Sequence, residues 1–518
     1  MTIASTLLAE LARHDAAELP AWVFVALPHA VIGLFVFVFG ACLGSFANVL
    51  IYRMPAGISV ISPPSRCPVC GARLSWRENL PVVGWLLLRG RCRACGVRIS
   101  PQYLLIEVLC GLLLLWFYLI GQAAPIGSAW WPDLLPNWWH LSGPLRTIPA
   151  LVLHGMLLVG LVVMTKIDAR TFMIPMALPL AILISAAILW TIQGLIPVPR
   201  TAELLWPIPR VPWPVAGAAF GALLGLATST LLLWMKVIQP SFADYESFMT
   251  AGVPATAAAG VTPLATGPGT AAEPSTGTAA GAEDESSTPA HDGDGPRVEF
   301  LFLVPILASV SVGFWMNEAV VPAACAMVMA FLALLIPVLH ARNPAAGPED
   351  APLADYPHAR REMWRELLFL TPCVIGMGAG YLLGVTAQRG HEPAAGAIGA
   401  FAAAATGYLV GGGLIWALRI LFTLVLRREA MGIGDIHLLG AIGAVLGWRD
   451  PLFAFLVAIF VALAWTLLVF LVGSRRAVQK GSLPFGPHLA VAAVAIMAFR
   501  PSIEAGFHRW IEIWSGGG

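Results

Sequence analysis

Two aspartates sit where a carboxylate is costly. Asp435 lies in EAMGIGDIHLLGAIGAVLGW (429–448), an apolar, glycine-rich run with no basic partner on the same helical face. A carboxylate at membrane depth costs roughly 2.5–3.5 kcal/mol even on lenient insertion scales. Asp168 closes a second apolar run, in VVMTKIDARTFMIP (162–175). Two carboxyl groups converging at one membrane face share a proton, so that one serves as base toward water and the other as acid. Gly432 and Gly434 beside Asp435 let a backbone or a peptide approach closely. Asp168, between Lys166 and Arg170, also reads as a solvated charge at a helix end. Intramembrane acids equally suit ion or proton transfer, so a membrane transporter or channel is the rival reading.

Four cysteines carry a second chemistry. CPVCGARLSWRENLPVVGWLLLRGRCRACG (67–96) holds two C-x-x-C pairs, Cys67/Cys70 and Cys92/Cys95, each followed by glycine. Paired knuckles of this kind supply four thiolates to a tetrahedral Zn2+ and leave no open position, so the metal is structural. Flanking arginines favour the thiolate form. Two redox pairs are the other reading. The remaining cysteines, Cys42, Cys110, Cys325 and Cys373, lie in apolar runs and are expected to be buried.

Long apolar helices must position these groups. Of 518 residues 58% are apolar and 11% charged, outside the soluble range. The predicted fold is all-α, a polytopic transmembrane helix bundle bearing a small tetracysteine zinc loop. About twelve spans are expected, near 22–50, 102–120, 148–167, 176–195, 214–238, 299–317, 319–340, 367–386, 396–426, 436–448, 452–472 and 484–500. Residues 1–20 lack a basic region followed by an apolar core and do not read as a cleavable signal peptide. A net charge of +1 argues against a nucleic-acid partner and leaves the lipid bilayer as the surroundings.

Charge orients the spans. Residues 52–101 carry Arg53, Arg66, Arg73, Arg77, Arg89, Arg91, Arg93 and Arg98 against the single acid Glu78, which places this loop in the cytoplasm. Twelve spans then put the N-terminus outside and both aspartates at cytoplasmic span ends. The organisation expected is an outer N-terminus and first span (1–51), the zinc loop (52–101), spans carrying Asp168 (102–239), a disordered Ala/Gly/Thr/Ser/Pro linker (240–298), further spans and a second polar linker at 341–365 (within 299–395), spans carrying G-x-G-D (396–500) and a tail (501–518). No internal repeat of fixed period stands out. GAAFGALLGLATSTLLLW and GAFAAAATGYLVGGGLIW look alike as small-residue helices suited to close packing. Trp130, Trp131, Trp138 and Trp139 are expected to form an outer aromatic belt, and His154 and His340 to be packing residues.

The ordered motifs resemble one family, the type IV prepilin peptidases (leader peptidase/N-methyltransferases). GSFANVLIYRMP (44–55) is similar to that family's motif after its first span. The tetracysteine loop follows with WRENLP and LLLRGRCRACG, then ISPQYLLIEVLCG with Glu107 and Gly111, IDARTFMIP, the G-x-G-D stretch and LPFGPHLAVAA (483–493). The resemblance covers roughly 40–195 and 396–493. It implies an intramembrane aspartic peptidase with Asp168 and Asp435 as the catalytic pair and Cys67, Cys70, Cys92 and Cys95 as metal ligands. Its implied substrates are prepilins or type II secretion pseudopilins, cut after a basic leader at the cytoplasmic face of the bacterial inner membrane. It further implies N-methylation of the new N-terminus from S-adenosylmethionine. No G-x-G-x-x-G fingerprint marks a methyl-donor site. His437 stands where the family usually has lysine, Met176 where Asp or Asn is frequent, and an insertion of roughly 240–395 separates the aspartates.

Overall fold

The computed structural model describes residues 21–123, 138–171, 173–199, 206–241, 358–386, 393–394, 396–426, 431–471 and 485–499. The elements are α1 (Ala21–Arg53), α2 (Val83–Leu87), α3 (Gln102–Tyr118, extended by a π-helical turn), α4 (Trp138–Ser142), α5 (Ile148–Thr171), α6 (Ala177–Leu195), α7 (Trp213–Trp234), α8 (Ala359–Thr386), α9 (Gly396–Leu426), α10 (Ile433–Leu446), α11 (Asp450–Leu471) and α12 (Gly486–Phe499). Among the described residues the only β-pairing is three isolated bridges.

Eight of these helices are long and apolar enough to cross a membrane, and α10 and α12 are shorter apolar helices. That is the support for a multi-pass membrane protein. Twelve full spans are not found among the described residues. Ten of the expected segments correspond to helices, two of them too short by themselves, and the segments at 299–317 and 319–340 lie outside the described residues. The 240–298 linker is outside them too, apart from its first two residues.

Lipid gives no hydrophobic drive between helices, so the bundle closes through small residues. Side by side, α7 and α8 bring Gly217 and Gly221 against the carbonyls of Gly380 and Gly376, where a β-carbon would collide. In the same way α9 and α10 meet at Gly407 and Gly443. The two look-alike stretches thus do the same packing work in different helix pairs. Ser229 on α7 also donates to the Phe369 carbonyl of α8 at 2.6 Å.

The second linker is shorter than expected. Residues 359–365 are already helical, because their charges pair along the helix. Glu362 is buried between Arg361 (2.9 Å) and Arg365 (3.1 Å). One turn on, Glu366 faces Arg419 of α9 at 3.3 Å, both fully buried, and accepts from the Trp416 indole at 2.6 Å. The last helix of the insertion is therefore part of the core.

Three other expectations have mixed outcomes. Trp138 and Trp139 are buried, stacking edge-on with each other and with Phe117 and Trp206, because α4 fills a gap among α3, α5 and the segment after α6. They form no belt; Trp130 and Trp131 lie outside the described residues. Cys110 and Cys373 are buried as expected, but Cys42 is exposed on the outward face of α1, and Cys325 is not among the described residues. His154 is a packing residue, stacked on Phe117 at 5.1 Å with Nδ1 on the Ala150 carbonyl at 2.7 Å. His340 lies outside the described residues.

Candidate active site and metal centre

Asp168 lies on the last turn of α5, nearly buried. Its Oδ2 accepts a hydrogen bond from the Gly486 amide, at the start of α12, at 3.1 Å. A β-carbon on Gly486 would stand 2.6 Å from that oxygen, so this approach requires glycine. Beyond α5 the chain runs back past Ile174, which touches both partners of the site. A β-carbon on Gly434 would lie 2.8 Å from the Ile174 Cβ, and one on Gly486 would lie 3.4 Å from its Cδ1.

Asp435 occupies the first turn of α10, where unpaired backbone amides favour an anion. Gly432 caps that helix in an extended conformation, with Oδ2 of Asp435 over it at 3.8 Å from a notional β-carbon. Asp435 is partly exposed, and the packing of Ile174 beside both Gly434 and Gly486 brings its turn to the Asp168 end of α5. The ends of α5 and α9 and the starts of α8, α10 and α12 share one face, since Arg360 of α8 donates to the Leu424 carbonyl at 3.1 Å.

His437, two residues further along α10, is buried with Nδ1 on the Tyr408 hydroxyl at 2.8 Å. It thus faces α9 rather than the aspartates.

The cysteine loop is a pair of matching turns. Cys67 N–H donates to Ala72 O, Gly71 N–H to Cys67 O and Leu74 N–H to Ser65 O. Twenty-five residues later Cys92, Gly96 and Ile99 repeat these bonds to Val97, Cys92 and Gly90. Gly71 and Gly96 both have φ of +69°, and the bridges Arg66–Arg73 and Arg91–Arg98 correspond. The loop therefore contains a two-fold repeat, SRCPVCGARLS and GRCRACGVRIS, which a scan for long periods passes over.

The four Sγ atoms lie within 4.8 Å of one another, and Cys67–Cys95 and Cys70–Cys92 are each 3.9 Å apart. A tetrahedral zinc with bonds near 2.3 Å needs sulfur separations of about 3.8 Å, so the donor set fits such an ion. Amides of Cys70 and Val69 aimed at the Cys67 sulfur lower its pKa to about 7. Glu78 joins the halves: Oε2 takes the Ser75 amide at 2.7 Å and Oε1 takes Arg93 Nε at 2.9 Å. The Ser75 amide, then Arg93, hold this carboxyl below its usual range.

Glu107 ties the loop to the bundle. Its Oε2 accepts the Val82 amide at 2.7 Å, and the Ser45 side chain also bonds to it. Gly44 gives α1 room beside the Glu107 backbone. Glu107, Ile174 and Gly486 all fall inside the quoted motifs, yet nothing in their local sequence assigns them a contact.

Residues 38–120 match the family model described as the bacterial peptidase A24 N-terminal domain. The chain is 56% identical to a prepilin leader peptidase/N-methyltransferase of Myxococcus xanthus over 80 residues, 15% of this chain and 24% of that protein. It is 31% identical to one of Klebsiella pneumoniae over 211 residues, 39% and 74% of the two chains. A Dickeya chrysanthemi protein of the same name is 30% identical over 220 residues, 38% and 62%. No solved structure matches the chain. With three quarters of the Klebsiella relative covered at 31% identity, the chain belongs to the prepilin leader peptidase/N-methyltransferase family.

Proposed function

We propose that this protein is a membrane aspartic endopeptidase that removes the basic leader of type IV prepilins or type II secretion pseudopilins, and then methylates the new N-terminus. The observation that supports the reading is that the Gly486 amide bonds Asp168 while Ile174 packs beside both Gly486 and Gly434, the neighbour of Asp435, which favours a meeting of the two aspartates at one end of the bundle.

The chemistry follows from that meeting. Two carboxyl groups at close range hold one proton between them. The ionised one takes a proton from a water as its oxygen attacks the scissile carbonyl. The protonated one gives its proton to the departing amine, and the pair is reset. The Gly486 amide fixes one Asp168 oxygen, so the carboxyl does not turn away from its partner.

Cys67, Cys70, Cys92 and Cys95 would hold a structural zinc, which when bound supplies folding energy to a loop with little core. S-adenosylmethionine is the methyl donor in this reading. In this reading the protein sits in the bacterial inner membrane, and the eight arginines of residues 52–101 support a cytoplasmic position for the loop and both aspartates. The transporter alternative leaves the paired cysteine turns without a purpose, and its acids would favour the bilayer midplane over one face.

Incubating membranes that contain the protein with a prepilin, then weighing the product's N-terminus by mass spectrometry, reads both steps. Loss of the leader plus one methyl group is expected. An intact leader would contradict the reading, and a cut but unmethylated product would leave only the peptidase.

A further inference from the structure

Residues 80–88, between the two cysteine turns, are tied down in an unusual way. Val82 has φ 63° and ψ −55°, and the Val83 amide closes a three-residue turn on the Pro81 carbonyl at 2.6 Å. A γ-turn of this hand is strained, and a β-branched residue is poorly suited to positive φ. What holds it is Glu107, whose carboxylate takes the Val82 amide at 2.7 Å.

That bond fixes a depth. Glu107 is five residues into α3, about 7 Å along the helix from Gln102 at 1.5 Å per residue. Gln102 itself marks the surface level, since its Oε1 takes the Arg170 guanidinium at 2.6 Å. Asp168 lies two residues inward of Arg170, about 3 Å on the same measure. Beside Glu107, α1 is at Gly44, nine residues and about 13 Å short of its end at Arg53. Because the Glu107 side chain leans back toward the N-terminal end of α3, Val82 meets it between the levels of Glu107 and Gln102, at the same end of the bundle as Asp168.

The side chains match that depth. Short helix α2 starts just after Val82. Its inner side is filled by Gly84, against the Glu78 carbonyl, and by Trp85, over Gly90 with Nε1 on the Ile99 carbonyl. Its outer side presents Val83, Leu86 and Leu87, and Leu80 stands just before it; all are exposed, Leu87 to 71%. Around them every arginine from Arg66 to Arg98 is exposed, against the single acid Glu78.

We propose that residues 80–88 are an interfacial insertion into the lipid bilayer. Leu80, Val83, Leu86 and Leu87 lie among the outer acyl segments of one leaflet, and the surrounding arginines rest on anionic headgroups. An apolar helix face set 5–10 Å into the headgroup boundary and rimmed by basic residues is how a peripheral element lies in a membrane. Each basic residue near an anionic surface adds attraction that salt screens. The cysteine turns are then held against the membrane surface by residues 80–88, with their outer side, including Ala94, facing water.

The test uses the full chain in lipid nanodiscs. A nitroxide is attached through an encoded unnatural amino acid at Leu87, and separately at Ala94 on the exposed second turn, leaving the cysteines untouched. Collision with dissolved oxygen and with a water-soluble nickel chelate is read by electron paramagnetic resonance. With phosphatidylglycerol present, the Leu87 label should favour oxygen and the Ala94 label nickel, and the Leu87 label should become more accessible to nickel in pure phosphatidylcholine. Equal nickel access at both positions would overturn the insertion, and so would a Leu87 label shielded from both reagents, which would mean protein covers it. No change between the two lipids would overturn the arginine–headgroup contact. Hydrogen exchange over residues 80–90 of the unlabelled protein repeats the lipid comparison without substitution. Slower exchange in the anionic disc is expected, and identical rates would count against the proposal.

Discussion

The cysteine loop and the aspartate site are joined through Glu107 and the Arg170–Gln102 contact, yet they are built by opposite means. The loop takes its geometry from near neighbours. Its knuckle bonds close within one or two turns, its ligands fall within residues 67–95, and its two halves repeat the same hydrogen bonds. The aspartate site takes its geometry from far along the chain. Gly486 reaches Asp168 across 318 residues, and Ile174 meets Gly434 across a long insertion. A locally wired unit with little core needs a metal. A unit wired through helix packing needs the whole bundle.

The sharpest way to break the comparison is to remove the metal. About one zinc per chain is expected by metal analysis of the purified protein. Changing Cys67 and Cys70 to Ser should abolish it and loosen residues 66–98, because structural zinc supplies on the order of 10–16 kcal/mol to small metal-bound units. Hydrogen exchange should show the loss confined to the loop, and methyl transfer should suffer more than cleavage. Zinc-free protein with freely reactive thiols would contradict the metal assignment.

A smaller loss is expected inside the bundle. Glu366→Leu or Arg419→Met alone strands one partner of a fully buried pair, at a cost of about 3–5 kcal/mol. The double variant should be nearer the parent, since replacing both charges by apolar groups is close to neutral. Thermal inactivation of leader cleavage measures this. A double variant as weak as the sum of the singles would show that the two charges do not act as a pair.

These contrasts explain what was legible in the sequence. Span positions followed from runs of apolar residues, and the metal set from spacing, because both signals are local. Trp138 and Trp139 deceived because an aromatic belt and an aromatic core look alike until α3 and α5 are seen to enclose them. Cys42 deceived because an apolar run does not say which face meets lipid. The helical start of α8 was hidden by its charges, which read as linker until Glu362 is seen pairing with Arg361 and Arg365. Asp168 and Asp435 could be named from their cost and their glycines, but the contacts that bring their segments together, Gly434 and Gly486 on Ile174 and Gly486 on Asp168, depend on which helices pack together.

The smallest effect is expected within the insertion. Residues 245–295 offer neither apolar core nor ligand cluster, so a short Gly/Ser replacement that keeps α8 should leave cleavage unchanged. Weaker cleavage at normal membrane levels would assign the segment a role.

The central claim rests on the two aspartates, and Asp168→Asn and Asp435→Asn test it most directly. Asparagine keeps size and hydrogen bonding but cannot exchange a proton, and losing general acid–base work costs on the order of 10²–10⁴ in rate. Leader cleavage is measured by mass spectrometry of the product, with zinc content and membrane insertion as folding controls. Each variant should lose cleavage, the double variant should be little worse than either, and methylation of a precut peptide should survive. Near-normal cleavage by either single variant would contradict the dyad, and loss of both activities together with zinc would make the aspartates structural.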